Sequence, residues 1–170
     1  MSIAGQIVNF VNVSALKRGF AAALAAAAFA ISPAVPAAAA NFARVIVAPE
    51  SGAALFGYDP VSYFVLGEAR IGRPDLEVAL GNQVWRFASE ANRQAFLADR
   101  EGFLPGFGGH DPALLARGYA SAGDPEVFLI HGGILYFFRT AAARLEFARD
   151  AGMLKSAIAA WPGAAGALTD

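Results

Sequence analysis

The stretch from Gly57 to Asp99 is echoed by the stretch from Gly109 to Asp150. Asp59 and Pro60 return 52 residues later as Asp111 and Pro112. After one deleted residue the spacing becomes 51, and Gly67, Gly72, Pro74, Gly81, Phe87, Arg93 and Phe96 return as Gly118, Gly123, Pro125, Gly132, Phe138, Arg144 and Phe147. Thirteen of the forty-two aligned pairs are identical. They fall mainly on Gly, Pro and aromatic positions that fix backbone shape, so the chain reads as a tandem duplication. Two copies are too few for a propeller or a solenoid, which stack several units, and a compact pseudo-twofold pair is expected instead.

Each copy reads as one small unit. Asp59 before Pro60 is a helix-start signal, opening a short helix through VSYFVL that Gly67 stops. LEVAL and QVWRF, separated by Gly81 and Asn82, predict a two-stranded hairpin. Ser89 then caps a helix over EANRQAFLAD, with Phe96 and Leu97 toward the hairpin and Glu90, Arg93 and Gln94 toward water. The second copy repeats this with Asp111, with VFLIH and ILYFF around Gly132 and Gly133, and with Thr140 capping AAARLEFARD. Helix, hairpin, helix, twice, predicts an α+β domain. MLKSAIAAWP predicts a closing helix whose Trp161 docks on the body.

The first forty residues have a different composition. Lys17 and Arg18 precede an uncharged run from Gly19 to Ala40 that begins FAAALAAAAFAI and ends in small residues around Pro33 and Pro36. This predicts a secretory signal peptide over 1–40, with the mature chain starting near Asn41 and residing in the periplasm or outside the cell. The competing reading is an uncleaved membrane anchor, but Ala is barely apolar and two prolines interrupt the run. The remaining segments are a first unit over 41–107, a second, degenerate unit over 108–150, and a C-terminal helix and tail over 151–170.

With 13 Lys and Arg against 14 Asp and Glu, the chain has no cationic surplus for phosphates, which argues against a nucleic-acid partner. Its fourteen Phe argue equally against disorder. The absence of Cys excludes disulfides, thiolate zinc sites and thiol redox chemistry, so stability has to come from packing.

Residues able to carry chemistry are few. His110 and His131 are the only imidazoles. His110 and Asp111, with Asp59 brought near by the pseudo-symmetry, form a conceivable site for a hard or borderline ion. The alternative makes Asp59 and Asp111 helix caps and His110 a loop residue, capping being the commoner use of Asp before Pro. His131, before Gly132, reads as a hairpin histidine. Tyr58, Tyr63, Trp85, Tyr136, Phe137 and Phe138 either line a ligand pocket between the copies or form core. Phe137 and Phe138 point to opposite faces of a strand, so both are buried only if the second face is covered too. No nucleophile triad, phosphate-cradling loop or HExxH helix is present, and no cofactor is expected.

The motif GYDPVSYF from Gly57 to Phe64, followed by a glycine-turned hairpin and a short helix ending in Phe, resembles the YHS domain, in particular an exported subgroup with this opening. Metal-binding members of the wider YHS and TRASH group hold a metal with cysteines at positions that correspond here to Ser62, Ala88 and Asn92. In the second copy the corresponding residues are Leu114, Arg139 and Ala143. The subgroup's Gly-Gly-Tyr-Cys is replaced by Gly108, Gly109, His110 and Asp111. The resemblance therefore implies a scaffold whose thiolate site is gone. The expected function is a non-enzymatic exported binding or interaction module for a small ligand or protein partner, with membrane contact only if the leader is uncleaved. Tyr58, Asp59, Tyr63, His110 and Asp111 are its candidate ligand or ion residues. A periplasmic metal-handling protein using His and Asp, and an enzyme of unknown reaction, are the alternatives.

Overall fold

The computed structural model describes residues 45–168, so the expected leader and its expected cleavage before Asn41 lie outside the described residues. In the first half, Ser62–Val65 forms the one-turn helix α1, Arg73–Leu80 and Gln83–Phe87 form strands β1 and β2, and Glu90–Ala98 forms helix α2. In the second half, Pro112–Leu115 forms α3, Asp124–His131 and Ile134–Phe138 form β3 and β4, and Ala141–Arg149 forms α4. Helix α5, Ala151–Ala167, follows directly. The described residues thus make a compact mixed α and β structure of five helices and two separate antiparallel hairpins. None of these helices is long and apolar enough to cross a membrane.

The hairpins share one register at a spacing of 51. Arg73 pairs with Phe87 and Glu77 with Arg86, and Asp124 pairs with Phe138 and Phe128 with Phe137. The irregularity inside each strand spans Pro74 or Pro125, whose missing N–H cannot continue the ladder. Just before it, the backbone of Gly72 runs against β2 and that of Gly123 against β4. A Cβ on Gly72 would lie 2.4 Å from the Arg86 carbonyl carbon, and one on Gly123 would lie 2.6 Å from that of Phe137. Only glycine permits either approach.

Ahead of each short helix the chain makes a left-handed turn that propensity does not foretell. Leu55, Phe56 and Gly57 have φ of 51°, 54° and 86°, and Phe107, Gly108 and Gly109 have φ of 55°, 60° and 87°. Non-glycine residues reach this region at a cost of roughly 1–2 kcal/mol each. Ile46 ties the two turns together, donating its N–H to the Gly108 carbonyl at 2.8 Å and accepting the Leu55 N–H at 2.9 Å.

Strand β4 separates two hydrophobic clusters. Leu135 and Phe137 face the first half and join Val61, Tyr63, Trp85, Phe87 and Phe96. Tyr136 and Phe138 face the other way, onto Ala113, Phe147 and Met153. Both faces of the hairpin are covered, which is how two consecutive Phe are each fully buried.

The halves do not meet across a twofold. Tyr63 of α1 packs on Phe128 and Phe137, with ring centroids at 4.8 and 5.3 Å. A twofold would place Leu115, the counterpart of Tyr63, against Glu77 and Arg86, the counterparts of those two Phe. Instead Glu77 and Arg86 pair with each other at 2.8 Å on a solvent-accessible face. Leu115 is buried and borders the apolar groove formed with Ala160 and Ala164 of α5. The expected symmetry fails because the outer face of the second hairpin is aromatic where that of the first is charged.

Candidate functional site

The sequence marks Asp59 and Asp111 as either caps or ion ligands, and their geometry is specific. Asp59 is fully buried. Its Oδ1 accepts the Val61 N–H at 2.8 Å in a local turn leading into α1, whose capping residue is Val61 rather than Asp59. Its Oδ2 reaches across to the start of α2, accepting the Ala88 N–H at 2.8 Å and the Asn92 Nδ2 at 2.6 Å. Ser62 Oγ donates to the Asp59 carbonyl at 2.8 Å. One aspartate therefore contacts all three residues that stand where the resemblance would place thiols.

Asp111 repeats the arrangement. It too is fully buried, its Oδ1 accepting the N–H groups of Ala113 at 2.8 Å and Leu114 at 3.3 Å and its Oδ2 accepting that of Arg139 at 2.7 Å. Ala143 has no side-chain donor to match Asn92, and its N–H goes to the Thr140 cap at 3.1 Å.

Each of these carboxyls accepts three hydrogen bonds, all from donors within its own half. His110 is turned away from Asp111: Nδ1 lies 2.9 Å from the Phe107 carbonyl, and the ring centroid is 5.6 Å from that of Trp161. With Nδ1 donating to that carbonyl, the tautomer leaves Nε2 as the acceptor. Burial pushes the imidazole below its ordinary 6.5, which leaves it neutral at neutral pH. No group of three or more His, Cys, Asp or Glu able to hold a metal ion is assembled among the described residues. The trio of His110, Asp111 and Asp59 is therefore not brought together.

No protein-family model, curated protein or solved structure matches the chain.

The aromatic group does not line a pocket between the halves. Tyr63, Trp85, Phe137 and Phe138 are fully buried and Tyr136 nearly so, because they fill the two clusters on either side of β4. Tyr63 spans the halves, donating its hydroxyl to the Pro125 carbonyl at 3.1 Å, and burial pushes its phenol upward. Tyr58, half-buried, donates to Glu126 Oε1 at 2.8 Å, and burial followed by the bond to Glu126 pushes its phenol up to about 12. His131 ends β3 opposite Ile134, exposed, as a hairpin residue.

Two concave features beside the left-handed turns escape the sequence reading. One is a groove of about 340 Å³ bordered by Phe56, Asp124 and Arg139. The other is a notch of about 210 Å³ walled by Phe107 and Trp161. Both depend on the left-handed turns, which have no reliable local signature when the residues involved are Leu and Phe.

Proposed function

We propose that this chain is an exported, non-enzymatic binding module of the YHS type, formed by tandem duplication and independent of a structural metal. The observation that carries the reading is the Asp59 carboxyl, which links Val61, Ala88 and Asn92 by hydrogen bonds where a thiolate site would otherwise link the same segments. The shared hairpin register and paired left-handed turns support the duplication, with the copies joined head to tail. Both buried carboxyls hold the fold, each fully buried and accepting three hydrogen bonds from its own half, which favours a structural use over catalysis.

The test is a thermal melt of the mature protein with and without EDTA, together with metal analysis of the purified sample. A protein that folds around a metal loses its fold to a chelator, because the binding free energy is part of the folding free energy. Equal melting temperatures and no stoichiometric metal are expected. A chelator-induced fall of several degrees that vanishes in His110→Ala would overturn the reading in favour of a His and Asp metal site.

A further inference from the structure

Trp161, late in α5, and Phe107, in the second left-handed turn, come from distant segments and meet edge to face with ring centroids 5.8 Å apart. With Glu101, Pro105, Gly106 and Ile134 they line the notch of about 210 Å³, a volume suited to a small organic group.

Three features of this notch bear on what it can hold. Leu55 and Phe107 hold equivalent left-handed positions, but Leu55 is fully buried, whereas Phe107 packs on Tyr136 with ring centroids 5.8 Å apart and stays partly exposed along the notch. A strained, partly exposed aromatic residue is the kind of outlier from which function is inferred. Glu101 is exposed at the rim, with no Lys, Arg or His within ion-pair distance among the described residues. His110, on Trp161's flank, is neutral at neutral pH and adds no positive charge. Aromatic walls with an unpaired carboxylate and no cation match one ligand charge only.

We propose that the notch binds a small organic cation, an alkylammonium or quaternary ammonium group, with the rings of Trp161 and Phe107 against the cation and Glu101 as its counter-charge. This rests on the binding-module reading and names its ligand class.

The test is titration of the mature protein with choline, followed by calorimetry and by amide and indole shifts in NMR, in parallel with 3,3-dimethylbutan-1-ol, the uncharged isostere. Choline should saturate, shifting the Trp161 indole and the Gly106 and Gly108 amides, and should bind about tenfold or more tightly than the alcohol. Glu101→Gln, an exposed change that leaves the packing intact, should weaken choline by about tenfold, and Trp161→Leu should remove the saturable shifts. No saturation, equal affinity for both probes, unchanged affinity in Glu101→Gln, or shifts confined to other regions would overturn the assignment. Failure here leaves an EDTA-insensitive melt standing and removes only the ligand class. A chelator-sensitive melt removes the module reading whatever choline does.

Discussion

Asn92 Nδ2 donates to Asp59 Oδ2 at 2.6 Å, fastening α2 to the turn that leads into α1. The same carboxyl serves Val61 and Ala88, so its removal strands several donors in a buried setting. Asp59→Ala should cost about 3 kcal/mol or more, and Asn92→Ala nearer 1 kcal/mol. Ser89→Ala, which removes only a cap, should cost about 1 kcal/mol. Urea denaturation measures all three. Equal losses for Asp59→Ala and Ser89→Ala would reduce Asp59 to an ordinary cap.

Phe96 lies in the first hydrophobic cluster and Phe147 in the second. Each truncation to Ala should cost about 3 to 5 kcal/mol. With β4 between the clusters, the double variant should lose the sum of the two within about 0.5 kcal/mol. A loss below about 1 kcal/mol for either ring would place it at the surface.

His110 gives a pH signature whose sign follows from its burial. Its folded value is lowered below the ordinary 6.5, so the unfolded chain takes up the proton first as pH falls. Stability from this residue is fully present above about pH 7.5 and declines as pH drops through 6.5 toward the lower folded value. Compared with His110→Phe, the wild type should lose additional stability as pH falls from about 7.5 through 6.5 and below. Parallel stability curves for the two proteins over that window would show that the imidazole is not desolvated.

The proposed export rests on Lys17, Arg18 and the alanine-rich run behind them. Mass spectrometry of the protein recovered from the periplasm or medium should give a chain beginning near Asn41. An intact Met1 terminus in the membrane fraction would replace a cleaved leader with an anchor.

Much of the local structure was legible because it is written in residues with narrow backbone options. Gly81 and Gly132 marked the hairpins, and Ser89 and Thr140 marked helix starts that they cap at 3.1 Å in both cases. The repeat spacing foretold the common register without foretelling how the halves meet. That depends on which face of a strand is apolar, and the contrast of Arg86 with Phe137 carried the information only once Tyr63 was known to pack there. The second oxygen of Asp59 was invisible for a related reason: a cap is a local signal, whereas its bonds to Ala88 and Asn92 span about thirty residues of intervening hairpin. Leu55 and Phe107 adopt their backbone through tertiary contacts such as those of Ile46, against their own preference.

A joint in which Tyr63 of one half meets Phe128 and Phe137 of the other has two unlike surfaces, and no symmetry axis closes it. Repeated from molecule to molecule, such a joint would grow into an open filament, as stacked repeats do when their ends are bare. The two ends differ from the joint. At one end, Glu77 and Arg86 replace the aromatic pair, so docking another Tyr63 there would desolvate an ion pair. At the other, α5 flanks Leu115. The charged pair of the first hairpin and the flank of α5 beside Leu115 thus leave the two outer ends unlike the joint between the halves.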